Sequence, residues 1–191
     1  MNTDQVLAVL EQSGALLTGH FELRSGLHSN RFFQCANVLR YPRRAALLCD
    51  ELVRKYRAGA GAGAAVDSVI APAMGGLAVG HEVARALDVK SIFAEKQDGR
   101  LVLRRFTIEP GERFIVAEDV ITRGGRVQET LDIVRGCGGV VVAILCLVDR
   151  SAGQARFDAP MVSLMELAPV TYDPKKCPLC DQGLPLVHPG S

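Results

Sequence analysis

The feature that most constrains the fold is a pair of continuous apolar runs, FIVA at residues 114–117 and VVVAILCLV at residues 140–148. A strand made only of apolar residues is buried on both faces, which is typical of a parallel sheet covered by helices. Residues 125–135, between the two runs, have helical spacing. A strand, a helix and a second strand in this order predict a parallel βαβ arrangement.

The same alternation extends to both sides of these runs. Apolar spacing upstream predicts strands at 68–71 and 90–94 around a helix at 77–87, and residues 161–167 predict a last strand. Nearer the N-terminus the pattern predicts a short helix after Asn2, extended segments at 16–24 and 31–35, a turn at 25–30, and a helix from Pro42 to Tyr56. The predicted class is therefore α/β, with a central parallel sheet flanked by helices.

Length and charge exclude several classes of protein. The chain has 191 residues and a net charge of +1, with 22 basic and 21 acidic side chains, so it carries no bulk attraction for nucleic acid or anionic lipid. No apolar run reaches the ~18 residues that would span a bilayer. The polar start MNTDQ is no signal peptide, and we expect reduced cysteines and a cytoplasmic protein with no nucleic-acid or membrane partner.

We expect one domain over residues 1–191, with an irregular tail at 169–191. Residues 58–64, an alternating Ala-Gly stretch, predict a surface linker rather than a phosphate loop, because no Lys-Ser/Thr follows them. The tail contains Cys177 and Cys180, which supply only two of the four ligands of a structural zinc site. His188 or a second subunit could complete the set, but we expect an unmetallated turn and assign no metal ligand.

The sharpest candidate site follows the first apolar run. Glu118 and Asp119 stand at the end of that strand, and Thr122-Arg123-Gly124-Gly125 leads into the next helix. Free amides at a helix start bind anions, and glycine lets an anion approach the backbone closely. Two carboxylates suit hydroxyls or a cation, so the combination predicts a sugar-phosphate site. An acidic helix cap with an ordinary glycine turn is the alternative, but it leaves Glu118 unexplained.

Residues 114–126 resemble the phosphoribosyl pyrophosphate (PRPP) motif of type I phosphoribosyltransferases: four apolar residues, two acids and a small-residue loop. The resemblance implies that family's fold, with a small N-terminal hood formed by residues 1–40. It also implies that Glu118 and Asp119 hold the ribose hydroxyls. The loop around Arg123 would hold the 5-phosphate through Thr122, Gly124 and Gly125. Arg126 stands where the family usually has Thr or Ser. The role of that hydroxyl is therefore not assigned to Arg126.

Residues 21–34 resemble the N-terminal segment of orotate phosphoribosyltransferases, one group within this family. By that resemblance Arg24 reaches the pyrophosphate of PRPP, while Phe32 and Phe33 lie against the pyrimidine ring. A surface arginine and two ordinary strand residues are the alternative, and for Phe32 core packing is nearly as well supported.

Three more segments match the same group. The loop Met74-Gly75-Gly76 resembles the pyrophosphate loop but lacks the lysine of some relatives. Arg150, after the second apolar run, resembles the arginine that contacts orotate, and Thr122 is a further orotate contact. Residues 93–105 take the place of a mobile basic loop in which Lys96 is the matching cation. Arg100 is assigned to PRPP, although Arg104 and Arg105 remain alternatives.

The resemblance implies a reaction of orotate with PRPP to give orotidine 5-monophosphate and pyrophosphate, in pyrimidine biosynthesis. It assigns Lys96, Glu118 and Asp119 to catalysis, and it implies Mg²⁺ bound mainly through pyrophosphate oxygens. It further implies a homodimer whose subunits share the mobile loop. Two alternatives stay open, a phosphoribosyltransferase for a purine base and a non-catalytic regulator that senses PRPP.

Overall fold

The computed structural model describes residues 1–23, 25–59, 62–167 and 170–189. By its contacts the chain divides into two units. Residues 1–40 and the segment from 168 to the C-terminus form the first, called here the terminal unit, and residues 41–167 form the second, called the sheet unit. The tail, expected to be an irregular appendage, thus belongs to the same unit as the predicted hood. That all 191 residues act as one domain stays a prediction.

The terminal unit is built on a small antiparallel sheet. The strand β2 pairs with β1 on one side and with the short β9 on the other. The helix α1 begins with a capping box, in which Asn2 Oδ1 accepts from the Gln5 amide and Gln5 Oε1 accepts from the Asn2 amide, both at 2.9 Å. The elements are α1 Thr3–Gln12, β1 Leu16–Glu22, β2 His28–Phe33, α2 Ala36–Leu39, β9 Thr171–Tyr172 and α6 Pro178–Asp181.

The sheet unit contains six strands in the order β5-β4-β3-β6-β7-β8. The pairs among β4, β3, β6, β7 and β8 are all parallel, and β5 alone is antiparallel, at the edge. The strands are β3 Ser68–Pro72, β4 Lys90–Gln97, β5 Arg100–Val102, β6 Arg113–Ile121, β7 Val140–Asp149 and β8 Met161–Glu166. The helices are α3 Pro42–Ala58, α4 Gly76–Leu87 and α5 Gly125–Gly136.

Burial explains the two apolar runs. Residues 114–117 of β6 are fully inaccessible to solvent, and so are residues 143–146 of β7. The helix α5 packs Leu131 and Val134 onto this layer. On α4, a Cβ at Gly80 would lie 2.6 Å from the Cβ of Ala71, so glycine is what allows this helix to approach β3 so closely.

The predicted α/β class and strand-helix alternation are confirmed, although α2, β5, β9 and α6 were not predicted. Three element ends differ from the prediction by three residues or more. The strand β6 continues through the two acids to Ile121, because it keeps pairing with β7 up to Asp149. The strand β4 runs to Gln97, because it folds back onto β5. The predicted turn at 25–30 is too long, since His28 already lies in β2 and pairs with Glu22 of β1.

The predicted linker begins where α3 ends, at Ala58. Ala60 and Gly61 lie outside the described residues. Among the helices that the structure describes, none combines the length and the apolar character needed to cross a bilayer.

Candidate active site

The carboxyl ends of four neighbouring strands lie along one edge of the sheet unit. After β3 the chain passes through α4 to β4, which pairs with one side of β3. The later strand β6 pairs with the opposite side of β3, so the direction of strand addition reverses there. This reversal is a topological switch point, where open α/β sheets bind ligands. The residues after β3 and at the end of β6 flank the resulting crevice.

Glu118 and Asp119 lie in the last part of β6. The side chain of Glu118 is almost completely buried, and its Oε1 accepts from the Asp119 amide at 3.0 Å. Asp119 is half-buried, and its Oδ1 accepts from the Val120 amide at 2.8 Å. Burial, followed by repulsion from Asp119, raises the pKa of Glu118 to about 9, and burial also raises the pKa of Asp119. The pair therefore favours a ligand that brings hydroxyl donors or positive charge.

The glycines after β3 lie directly against these acids. A Cβ at Gly75 would be 3.1 Å from Asp119 Oδ1, and a Cβ at Gly76 would be 3.0 Å from Glu118 Oε1. The structure thus brings together the two segments that the sequence assigned to pyrophosphate and ribose, although about 40 residues separate them. Met74, at the tip of the loop, is 82% exposed.

The start of α5 has the form expected of an anion site. Gly124 precedes the helix in the left-handed conformation, with φ +78°, and it offers no side-chain cap to the first-turn amides. A Cβ there would lie 2.7 Å from Phe157 Cζ, whereas a Cβ at Gly125 would meet nothing within 4 Å. Thr122 and Arg123 are exposed before it. The helix dipole and these amides favour a phosphate.

Arg126 does not point its charge into this turn. Its Nη1 donates to Glu129 Oε1 at 3.0 Å and to Oε2 at 2.9 Å, one helical turn further on. Glu129 Oε2 also accepts from the Leu101 amide of β5 at 3.1 Å. Glu129 therefore links α5 to the edge strand. This link could not be predicted from the sequence, because no local pattern connects residues 28 positions apart.

Arg150 follows β7 at the same edge. Its amide donates to Ile121 O at 2.8 Å, which fixes it beside the end of β6. Its guanidinium is partly buried, and burial lowers its pKa. Within the described residues its Nε is buried and has no hydrogen-bond partner, and the same holds for the hydroxyl of Ser151. A partly buried cation with an unsatisfied donor is suited to an anionic, planar ligand.

Lys96 and Arg100 lie on a hairpin at the edge of the sheet. Lys96 pairs with Leu101 and Gln97 with Arg100, and Asp98-Gly99 forms the tight turn with positive φ at both residues. Both cations are exposed. The segment expected as a mobile loop is thus paired over residues 95–97 and 100–102.

The other basic residues of this segment differ in their partners. Arg105 Nε donates to Glu95 Oε1 at 3.0 Å, so Arg105 is already neutralised. This leaves Arg100 and Arg104 as the candidates to support Lys96.

The remaining predicted residues belong to the terminal unit. Arg24 lies outside the described residues. Phe33 is buried, and the ring of Phe32 lies 5.8 Å from that of Phe21, centroid to centroid. These contacts are those of core packing, and an orotate-binding role for Phe32 and Phe33 stays a prediction.

Comparison with known proteins agrees with this geometry. A family profile described as "Phosphoribosyl transferase domain" matches residues 37–176. The orotate phosphoribosyltransferase of Desulforamulus reducens is 48% identical over 192 aligned positions, covering 100% of this chain and 98% of the relative. That of Pelotomaculum thermopropionicum is 49% identical with the same coverage. The crystal structure of orotate phosphoribosyltransferase from Aeropyrum pernix superposes with a TM-score of 0.69 at 26% identity, covering 85% of this chain and 93% of that one.

The chain therefore belongs to the phosphoribosyl transferase family, as the crevice between β3 and β6 and the matched profile both indicate. Within that family, its full-length relatives place it among the orotate phosphoribosyltransferases.

Proposed function

We propose that this chain transfers the phosphoribosyl group of PRPP to orotate, giving orotidine 5-monophosphate and pyrophosphate in pyrimidine biosynthesis. The observation that carries the proposal is the close approach of the Gly75 and Gly76 backbone to the carboxylates of Asp119 and Glu118, which leaves little room for a Cβ at either glycine. In this site the amides of the glycine loop can bind a diphosphate, and the neighbouring carboxylates can bind the adjoining ribose hydroxyls. The full-length orotate phosphoribosyltransferase relatives support the choice of orotate.

The reaction breaks the bond between the anomeric carbon of ribose and pyrophosphate, through a centre with oxocarbenium character. Glu118 and Asp119 accept hydrogen bonds from the ribose hydroxyls. These donors favour the ionised form of the pair, which then places negative charge beside that centre. The amides at the start of α5 hold the 5-phosphate at the other end of the sugar. Catalysis in this scheme is positioning and electrostatic stabilisation, without a strong base.

Orotate and the departing pyrophosphate are bound by cationic side chains and backbone amides. The guanidinium of Arg150 offers paired donors to the carboxylate and carbonyl groups of orotate. The amides of the Met74–Gly76 loop and the cations Lys96, Arg100 and Arg24 act on the departing pyrophosphate. Arg123 adds positive charge near the 5-phosphate.

Mg²⁺ fits this site, because the buried acid pair has raised pKa values and therefore favours positive charge. Glu118 and Asp119 could offer it only one or two carboxylate oxygens, so the pyrophosphate supplies most of its ligands. When bound, Mg²⁺ neutralises the leaving group.

The cytoplasmic location expected from the sequence remains part of this proposal.

Substrate choice tests the proposal directly. The purified protein is offered PRPP and Mg²⁺ with orotate, uracil, hypoxanthine or adenine, and consumption of each base is followed. We expect consumption of orotate alone. Consumption of a purine but not orotate would establish the purine enzyme instead. Binding of PRPP without consumption of any base would favour the regulator.

The acid pair has its own test. Asp119→Asn keeps the shape of the side chain and removes its charge, so the fold should persist while turnover falls by at least about 100-fold. Asp132→Asn is the matched control, because Asp132 is exposed on α5 and accepts a hydrogen bond from Gln128 Nε2 on the helix surface. Full activity in Asp119→Asn would remove the acid pair from the mechanism.

A homodimer with a shared hairpin is also part of the proposal. Lys96→Ala and Asp119→Asn are each expected to be inactive alone. If Lys96 serves the partner's site, mixed dimers of the two variants regain one intact site, and random mixing restores about a quarter of the activity. No recovery after verified subunit exchange would refute the shared hairpin.

A further inference from the structure

Four side chains with metal-binding atoms meet in the terminal unit. His20 comes from β1, His28 from β2, and Cys177 and Cys180 from the tail, and their donor atoms all lie within 4.8 Å of one another. The two histidines and Cys177 are buried, whereas Cys180 is exposed. None of these residues has a role in the proposed reaction.

Three sulfur–nitrogen separations in this cluster are close to those of tetrahedral zinc. Zn–S bonds near about 2.3 Å and Zn–N bonds near about 2.05 Å place the sulfur and nitrogen ligands about 3.6 Å apart. The sulfur of Cys177 lies 3.6 Å from His20 Nε2, and that of Cys180 lies 3.7 Å from His20 Nε2 and 3.4 Å from His28 Nδ1.

The two histidine nitrogens, His20 Nε2 and His28 Nδ1, are 2.8 Å apart. Tetrahedral geometry requires about 3.3 Å between them. A shift of about 0.5 Å between the two rings would bring this pair of nitrogens to the tetrahedral separation.

His20 is oriented as metal-bound histidines usually are. Its Nδ1 lies 2.9 Å from the backbone oxygen of Leu184, which can accept only if Nδ1 carries the proton. The lone pair is then on Nε2, the atom that faces both sulfurs. A hydrogen bond from the second ring nitrogen to a backbone carbonyl fixes the tautomer of metal-bound histidines in this way.

Local backbone structure aims the four groups at one point. The pairing of β1 with β2 shifts register between Thr18 and Phe21, and such a bulge redirects the side chain within it, here His20. Cys177 and Cys180 share one turn, because the Cys180 amide donates to Cys177 O at 3.1 Å. Gly183, with φ +67°, then turns the chain so that Leu184 reaches His20.

We propose that His20 Nε2, His28 Nδ1 and the thiolates of Cys177 and Cys180 bind one structural zinc ion. Four protein ligands leave no open position, so the ion is structural and not catalytic. Thiolate and imidazole ligands in tetrahedral positions select zinc over magnesium or calcium. The ion would fasten the tail to the β1–β2 hairpin.

This proposal differs from the expectation of an unmetallated turn, beside which His188 and a second subunit were only alternatives. His188, which the sequence offered as a third ligand, has its Nδ1 3.3 Å from Glu22 Oε2. The histidines that complete the set lie about 150 residues earlier in the chain. Sequence spacing alone could not reveal them, because only the fold brings the tail beside the hairpin.

Metal content tests the proposal. Protein purified without chelators and without a metal-affinity step is expected to contain one zinc per chain by elemental analysis. Cys180→Ser and His28→Asn should each reduce this by at least about tenfold. Cys137→Ser and His188→Asn are the matched controls, since both residues are exposed and outside the cluster. Equal zinc loss in the controls, or wild-type protein without zinc that takes up none on addition, would overturn the site.

A spectroscopic measurement on the wild-type protein tests the site even if the variants fail to fold. Wild-type protein stripped of metal is titrated with Co²⁺, which reports tetrahedral geometry by intense visible bands and thiolate ligation by near-ultraviolet charge transfer. We expect both signals at one equivalent, and their loss when zinc is added. Octahedral Co²⁺ without charge transfer would contradict the assignment. Neither readout depends on orotate transfer, so this site and the proposed reaction can fail separately.

Discussion

Each unit of this molecule buries a group of ionisable side chains, and the two groups differ in what they require. In the sheet unit two neighbouring acids, Glu118 and Asp119, lie beside a glycine loop. In the terminal unit, two histidines and two cysteines face one another at the distances of a closed coordination shell. The first arrangement fits a ligand that comes and goes with each turnover. The second fits an ion that stays.

The difference also concerns where each unit obtains its stability. The sheet unit buries long apolar strands on both faces, so it can tolerate an unfavourable acid pair at its edge. Within the described residues the terminal unit has a three-stranded sheet, to which β9 contributes two residues. Small units with small cores commonly depend on metal ions or disulfides. The following predictions test this contrast in order of decreasing effect.

The largest effect is expected at Arg150. Arg150→Met removes the cation whose Nε has no partner among the described residues, and leaves a side chain of similar length. Losing a partly buried charged hydrogen-bonding partner costs about 2–5 kcal/mol, so kcat/KM for orotate should fall about 100-fold or more. The KM for PRPP should change much less.

Steady-state kinetics with each substrate varied in turn measures both effects. Arg57→Met is the control, because Arg57 is exposed in the last turn of α3 and has no role in the proposed reaction. An equal loss for orotate and PRPP would show that Arg150 supports the whole crevice and does not select the base.

A smaller loss is expected from Gly75→Ala. The new Cβ would lie 3.1 Å from Asp119 Oδ1, so the carboxylate must move by a few tenths of an ångström. Misplacement of a catalytic group by about 1 Å costs about 100-fold, and this smaller shift should cost about tenfold in kcat. Gly136→Ala, at the end of α5 with no atom within 4 Å of its new Cβ, should keep full activity. Unchanged kcat in Gly75→Ala would mean that the contact does not position Asp119.

Glu118→Gln should separate stability from activity. The pKa of Glu118 is about 9 in the folded protein against an ordinary value of 4.5, so the folded state binds the extra proton. Stability of the ligand-free wild type must therefore fall as pH rises from 4.5 through about 9, whereas a neutral amide at this position causes no such loss. At about pH 8 we expect the variant to be more stable by at least about 1 kcal/mol and to have lost most activity.

Thermal unfolding of both proteins at about pH 5.5, 7 and 8.5 gives the comparison, with Glu109→Gln as an exposed control. The advantage of Glu118→Gln should widen with pH. A constant or shrinking advantage would contradict the buried, protonated state of Glu118.

The sequence predicted those parts of the molecule that depend on local pattern. The apolar run at 114–117 indicated a buried strand, and the acids and glycines after it indicated the sugar-phosphate site. It could not predict that β6 continues to Ile121, because that end is set by pairing with β7. It could not predict that Glu129 contacts both Arg126 and the β5 backbone, or that His20 and His28 meet the tail cysteines. These arrangements depend on segments far apart in the chain, and only the folded backbone brings them together.

The smallest effect tests the two units against each other. If zinc fastens only the terminal unit, its removal should speed amide hydrogen exchange in β1 and β2 by about tenfold or more and leave β6 and β7 unchanged, because local openings are governed by local contacts. Exchange is measured by mass spectrometry on ligand-free protein, with and without a zinc chelator. Cys180→Ser without chelator should reproduce the pattern. Equal acceleration in β6 and β7 would show that the ion supports the sheet unit as well. The acid pair and the metal cluster would then no longer be independent features of the chain.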